Sequence, residues 1–497
     1  MDRFLARPAL RRAALSLLLA LAACGGGSDN GAPDPAPPPS TVPPVAGDRI
    51  EAFDPAAAPA AKLTEGAARP AQAAAASGMV RTVVLGPLQA PPTKATVGSG
   101  SPGAPLQIGQ ARSVADTATP QGTAALLQWH PSGRNTQVAA LRFVAEGAHG
   151  VRLGVLVEAL PPGAVLRAYG APQDEVVEVD AQALRTMAAR HAEAGADDRA
   201  ARTWWSPDFG GAQTTLEVEI PHSAATDGVR LSVPRLSHFT QTPDEAQLAL
   251  QTKAAGSCNV DLACRPEYLE QGRSVARMVF VREDGKAYLC TGTLMNDAAS
   301  SGTPYFLSAN HCIDRQTVAS TLTTEWFLRA RSCGGTDTAG AQRLTGGATL
   351  LYAAARTDVA LMRLNGAPPA GIVYAGSYFG SPLQPGTPLA VVHHPGGDMQ
   401  KISLGTLLHY SSCSDGGLCR ASNETEGTYL TLGWRTGVVE GGSSGSAAFL
   451  TLGERRYVVG QLMGGLSSCA RPDAVDYYGR FDLAYRDAIR RWLNPGG

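Results

Sequence analysis

The nine cysteines of this 497-residue chain divide it in two. Cys24 stands alone near the start, and the other eight all lie between Cys258 and Cys469. An even set confined to one half is the pattern of a disulfide-stapled domain folded in an oxidising compartment. No spacing fits a zinc site, because Cys413 and Cys419 have no second Cys/His pair close by. No metal and no cofactor is expected. The cysteine-free half must therefore hold itself together by packing alone, and at 44% hydrophobic residues the chain can build more than one core. A charged fraction of only 17%, a net charge of -1 and no Lys/Arg-rich stripe argue against a nucleic-acid partner.

The first residues read as an export signal. Arg3, Arg7, Arg11 and Arg12 precede an apolar run over residues 13–22, too short for a bilayer core of ~30 Å. The run ends in Leu21-Ala22-Ala23-Cys24, which resembles the lipobox of bacterial lipoprotein signals, where the cysteine is lipidated after cleavage. Gly25-Gly26-Gly27-Ser28 continues as a lipoprotein tether does, and Gly25 is not the Asp that retains such proteins in the inner membrane. The expectation is an exported chain: an outer-membrane lipoprotein precursor anchored through Cys24, a secreted extracellular protein after processing, or both in turn.

Four segments follow from composition. Residues 1–24 read as the signal and residues 25–78 as a Gly/Pro/Ala-rich tether, of which 25–48 cannot bury enough apolar surface to order itself and the alanine-rich 54–78 either continues it or forms a helix. Residues 79–253 show β-type alternation between Gly/Pro breaks, as at 139–144, 151–157 and 216–220. This predicts a β-rich, sandwich-like domain with one helix near 181–194. Trp204-Trp205 and His222 stand out there and read as core and turn residues. Residues 254–497 have the short strands and frequent turns of an all-β enzyme, closed by a helix over 485–493 that Asn494-Pro495 stops.

Three motifs in the last segment carry chemistry. An apolar strand runs through Ser308-Ala309-Asn310 into His311-Cys312, which sets an imidazole at the mouth of a loop. A bridge from Cys290 to Cys312 would fix that loop. Asp358 opens the strand that follows it, where a buried carboxylate can hold the Nδ1 proton of His311 and stabilise the imidazolium. Gly441-Gly442-Ser443-Ser444-Gly445-Ser446 offers a serine between glycines, as a sharp turn and close substrate approach require. Each motif alone is weak. Together they fall in the order His, Asp, Ser with separations of 47 and 86 residues, the chymotrypsin order.

Residues from 256 to about 495 resemble the bacterial lysyl endopeptidase family. The resemblance is carried by Gly256-Ser257-Cys258-Asn259-Val260-Asp261, His311-Cys312 and His393-His394-Pro395. Gly442 to Ser446, Gly460-Gln461-Leu462 and Tyr478-Gly479-Arg480 complete it. It implies an all-β, chymotrypsin-like double six-stranded β-barrel with a C-terminal helix, preceded by a β-rich propeptide domain. It also implies Ser444 as nucleophile, His311 as general base and acid, and Asp358 as orienting carboxylate. The backbone N–H groups of Gly442 and Ser444 would form the oxyanion hole. Family pairing implies disulfides Cys258–Cys469, Cys264–Cys333 and Cys290–Cys312, leaving Cys413–Cys419; eight cysteines alone allow about a hundred pairings.

Specificity for a cationic side chain needs an acid in a narrow pocket, and Asp473 and Asp476 both qualify by position. The family's pocket acid sits three residues before the Gly-Arg pair, which selects Asp476. Met463 departs from the family, which has a histidine there, so the Lys/Arg balance is left open. The substrates expected are proteins or peptides with a basic residue before the cut bond. Lys253 precedes the family-like mature start, so a lysine-specific enzyme would cut itself there, leaving the β-rich domain as its own propeptide and partner. The alternatives are an arginine-preferring protease and a non-catalytic surface-lipoprotein binding module on the same fold.

Overall fold

The computed structural model describes residues 47–56, 72–75, 77–88, 105–133, 135–171, 175–241, 256, 258–414 and 418–496. The expected signal peptide, Cys24 and Lys253 lie outside these residues.

The N-terminal domain packs two sheets face to face. One runs in the order Arg81–Leu85, Thr136–Ala145, Gln213–Pro221, Val165–Tyr169 and Val176–Asp180, with His130–Ser132 beside the second strand. The other runs Thr203–Trp205, Gly150–Ala159, Arg230–Phe239 and Gly109–Ser113. Alternate residues such as Leu141, Phe143, Leu153, Val155, Val218 and Leu231 meet in the core between them, as the period of two in a strand requires. The helix Ala181–Glu193 starts where Asp180 accepts a hydrogen bond from the Ala183 amide at 2.7 Å. Ordered structure begins earlier than the composition predicts. The Ala74 and Ala75 amides donate to the buried Glu217 carboxylate at 3.0 and 2.9 Å.

The C-terminal domain has two strand systems. In the first, the central path is Thr323–Trp326, Val275–Val281, Ala287–Met295, Tyr305–Ala309, Val359–Leu364 and Ala348–Ala354, with Gln342–Leu344 at one edge. In the second, six strands close on themselves: Arg455–Gly465, Ala447–Leu452, Pro388–His393, Lys401–Cys413, Tyr429–Thr436 and Asp476–Arg480, the last pairing back to the first. Strands such as Val275–Val281 are buried along their whole length, so they are apolar at every position but Arg277, whose guanidinium is paired with Glu325 at 2.6 Å. The chain ends in helical turns over residues 481–493, longer at the start than the sequence predicts, with a π turn at Tyr485–Ile489. Phe481, Tyr485, Ile489 and Leu493 recur every four residues and all face the core.

Two segments cross between regions that the sequence keeps apart. Leu106–Gln107 adds an antiparallel strand to Ala287–Met295. Around it Leu106, Ile108, Trp205 and Phe239 share an apolar cluster with Val279, Val281, Ala287 and Leu289. Arg343 adds an ion pair to Asp208 at 3.1 Å. The second crossing corrects the tether. Residues 47–56 fall inside it, yet Arg49–Ile50 pairs antiparallel with Gly376–Tyr378 and Ile50 is buried in the C-terminal core. Two apolar residues, Ile50 and Phe53, are enough once a sheet edge supplies the hydrogen bonds.

Candidate active site

His311 sits on the turn that leaves Tyr305–Ala309, and its orientation is set by one carboxylate. Asp358 accepts the His311 main-chain N–H at Oδ1 (2.9 Å), and its Oδ2 lies 2.7 Å from the ring Nδ1. Asp358 itself is left-handed, at φ 49°, a conformation a non-glycine residue adopts only when its surroundings enforce it. Those surroundings are visible. The Asn310 amide donates to its carbonyl at 2.8 Å, and Gln461 Nε2 donates to the preceding Thr357 carbonyl at 2.7 Å. The carboxylate is nearly buried while the imidazole is about a quarter exposed, and Nε2 lies 3.7 Å from Cys312 Sγ, a disulfide sulfur with no proton to give it. The Cys290–Cys312 disulfide ties the same turn to the neighbouring strand. Cys290, His311 and Cys312 also cluster as metal ligands do, but sulfurs joined in a disulfide are not thiolates and do not ligate.

The serine turn is anchored from both barrels. The Ser444 carbonyl accepts from the Thr291 amide at 2.8 Å, and the Gly442 carbonyl accepts from Thr291 Oγ1 at 2.9 Å. Thr291 follows Cys290, so the chain of contacts runs from Ser444 through the disulfide to the turn of His311. Two glycines are needed here. Gly442 has φ 92°, and a Cβ there would lie 2.8 Å from the His394 carbonyl. Gly445 has φ 81°, and a Cβ there would lie 2.1 Å from Ser308 Oγ. The amides of Ser443 and Gly445 donate to the Glu440 and Leu462 carbonyls.

The two adjacent serines differ. Ser443 is fully buried, with Oγ 2.8 Å from His393 Nδ1 and accepting from the Glu440 amide. His393 Nε2 in turn lies 3.0 Å from Ser403 Oγ. Next to it, His394 places Nδ1 2.7 Å from the Asp398 carbonyl. Burial, with the Lys401 charge behind it, lowers His393 to about 3; burial and the Arg277 charge do the same to His394. Both rings are therefore neutral supports under the turn. An unfolded chain takes up protons on them below about 6.5 and the native state does not until about 3. The contribution of these two rings to native stability should thus be constant above pH 6.5 and fall by about 1.4 kcal/mol per pH unit per ring between there and about 3. Melting temperatures at pH 8, 6.5 and 4.5 test this, with a shallower acid loss expected for His393→Asn.

Asp476 lies in the Asp476–Arg480 strand and is 1% exposed, whereas Asp473 is exposed on the preceding loop. Its Oδ1 accepts from the Ser467 amide at 3.3 Å and its Oδ2 from the Trp434 indole N–H at 2.5 Å. Burial raises it from 3.8 to about 6, against the hydrogen bonds from Ser467 and Trp434. Gly465 stands beside it, where a Cβ would lie 2.1 Å from Oδ1, so the carboxylate keeps a side-chain-free wall. Met463 is the half-buried residue at a register shift in the adjoining strand. Sequence reasoning missed Trp434 as the partner of Asp476. Its only signal was a tryptophan in the strand that precedes Gly437 and the serine turn.

The four disulfides are Cys258–Cys469, Cys264–Cys333, Cys290–Cys312 and Cys413–Cys419. The first joins the start of the C-terminal domain to the loop before Asp476. Asn259, one residue on, donates to Glu440 at 2.9 Å, and Glu440 leads directly into the serine turn.

Comparison with known proteins places the chain in a family. Residues 252–479 match the lysyl endopeptidase C-terminal domain and residues 84–240 the lysyl endopeptidase N-terminal domain. A lysyl endopeptidase of Pseudomonas aeruginosa is 35% identical over 413 residues, spanning 79% of this chain and 82% of that protein. Among solved structures, a protease from M. tuberculosis in its active form is 15% identical with a TM-score of 0.32, over 47% of this chain and 86% of that one. An HtrA-type protease with a tripeptide is 14% identical with a TM-score of 0.31, over 46% and 63%. With both domains matched in order and one relative aligned across most of its length, the chain belongs to the lysyl endopeptidase family of serine endopeptidases.

Proposed function

We propose that this chain is the exported precursor of an endopeptidase that cleaves after lysine, with Ser444 as nucleophile. Ser444 Oγ attacks the scissile carbonyl carbon while His311 Nε2 takes its proton. His311 then gives that proton to the leaving amine, and a water repeats the sequence on the acyl-enzyme. Asp358 keeps the Nδ1 proton in place, so that Nε2 is the basic nitrogen throughout. The N–H groups of Gly442 and Ser444 hold the developing oxyanion, each worth about 3 kcal/mol in related sites. The observation that carries this reading is the double hold of one Asp358 carboxylate on His311.

Lysine preference rests on Asp476, a buried acid with Gly465 beside its carboxylate. A second argument is self-protection. The chain has five lysines, at 62, 94, 253, 286 and 401, against 37 arginines. Of the two in the C-terminal domain beyond residue 256, Lys401 is buried and ion-paired with Asp261 and Asp398. An enzyme cutting after arginine would meet many more sites in itself.

The zymogen reading is supported by Leu106. Its strand pairs with Ala287–Met295 next to Cys290, and its side chain lies 3.8 Å from the Cβ position of Gly441. The N-terminal domain thus leans on the serine turn until a cut at Lys253 allows it to leave. Export, with Cys24 lipidated, remains part of the proposal.

Matched peptides with lysine, arginine or norleucine before the scissile bond test the specificity. A hydrogen-bonded buried charge pair is worth about 2–5 kcal/mol, so lysine should exceed norleucine by about 10²–10³ in kcat/KM. Equal rates for the two would remove the pocket assignment, and a preference for arginine would select the other basic specificity.

A further inference from the structure

We infer that residues 48–54 are a built-in peptide ligand of the C-terminal sheet, one that holds the upstream chain to the peptidase after the link near Lys253 is cut. The contact itself stands on geometry alone; its consequence for release rests on the maturation cut proposed above. The segment lies outside both matched family regions, 84–240 and 252–479.

The strap is bound as an added strand. The Phe379 amide donates to the Asp48 carbonyl at 2.9 Å, and Phe53 and Tyr374 exchange hydrogen bonds at 2.9 and 2.8 Å. Between these points Arg49 and Ile50 are in register with Tyr378 and Ser377. Such main-chain pairing with side chains seated in alternate pockets is the mode of β-augmentation. Ile50 is 4% exposed and joins the cluster containing Met295, Ala375 and Val458. Phe53 lies against the Tyr374 ring at a centroid distance of 5.8 Å.

The charges are complementary. Glu51 Oε2 accepts from Arg455 at 2.7 Å and from the Tyr457 hydroxyl at 2.8 Å, and Asp54 pairs with Arg273 at 2.9 Å. Asn296 Nδ2 donates to the Glu51 carbonyl at 3.0 Å. An acidic, apolar, extended peptide therefore meets arginines around an apolar slot.

The receiving surface is shaped for it. A Cβ on Gly376 would lie 2.6 Å from the Ile50 carbonyl and 2.8 Å from the Ala52 amide. Gly376 has no positive φ, so its own backbone does not call for glycine. The missing side chain gives the strap its path.

A cut after Lys253 alone then leaves the peptidase docked on residues 48–54, and hence on whatever holds the chain's N-terminus. Freedom requires the strap to dissociate or to be cut in turn.

The test uses the full chain carrying Ser444→Ala, with foreign-protease sites inserted between residues 57 and 71 and between 242 and 250. After both cuts, gel filtration and intact-mass analysis follow the N-terminal fragment. It is expected to co-elute with the peptidase, to be displaced by excess synthetic peptide 47–56, and to separate after Ile50→Asp or Gly376→Ala. Ile50→Asp lies in the strap and leaves the peptidase sequence intact, so a release by that variant does not depend on how Gly376→Ala folds. Separation of the unsubstituted fragment as complete as that of Ile50→Asp overturns the proposal. Self-cleavage plays no part in this assay. A failure of Lys253 processing would appear instead as an uncut chain in the active protein.

Discussion

Ser444→Ala is expected to lower kcat for peptide hydrolysis by about 10⁶-fold, as removal of a nucleophile does in comparable triads. Ser443→Ala should leave the nucleophile in place. The contrast follows from what the two hydroxyls touch. Ser443 Oγ is spent on His393 and on the Glu440 amide, so its loss strips a support from under the turn. A buried hydrogen bond of this kind costs about 1–3 kcal/mol when one partner is left unsatisfied. The Ser443 variant should therefore melt earlier yet still cleave, whereas Ser444→Ala should keep its melting temperature. A Ser444→Ala protein that still turned over peptides, or a Ser443→Ala protein as inactive as it, would reverse the assignment.

Asp476→Asn should lower kcat/KM on lysine peptides by about 10²–10³-fold, since it removes one charge of a buried, hydrogen-bonded pair. Cleavage of the matched norleucine peptide should change little. The same substitution is expected to stabilise the fold at alkaline pH. Burial raises the folded carboxyl from 3.8 to about 6. A raised carboxyl contributes stability that is fully present below 3.8 and lost as pH rises through about 6. Above that, the unneutralised buried charge costs about 3 kcal/mol. Asp476→Asn should thus melt higher than the parent at pH 8 and alike at pH 3.5. The lysine-to-norleucine ratio of the parent should fall below pH 6 as Asp476 takes up its proton. That ratio cancels any effect of pH on the chemical step, which both substrates share. Equal loss on both peptides would mean that Asp476 supports the fold and does not read the substrate.

The sequence spoke most clearly where a local pattern suffices. The helical pattern over 485–493 with its Asn494-Pro495 stop, and the helix near 181–194, were legible because helix periodicity and stop signals are written within a few residues. The serine turn was legible as chemistry only in company with His311 and Asp358. Its glycines are required by contacts with His394 and Ser308, which lie far away in sequence. The choice between Asp473 and Asp476 needed family spacing, since only the fold buries one and exposes the other. Trp434 escaped notice for a similar reason. Its neighbour Leu432 is in register with Asp476, and strand register across 42 residues is not written in either segment alone.

The strap was the largest surprise. Residues 47–56 sit in a Pro/Ala-rich stretch whose composition denies a core, and composition was right about that. What orders them is the free edge at Gly376–Tyr378 together with Arg273 and Arg455, all belonging to another part of the chain. A peptide that folds only onto a partner surface carries little signal of its own.

The most direct test of the account is to treat the mature enzyme with a fluorophosphonate and locate the adduct by peptide mapping. Such reagents label only a serine activated by its base. The account predicts a single adduct, on Ser444, that is absent in His311→Ala. An adduct on Ser443, or no adduct in a protein that still cleaves after lysine, would contradict it.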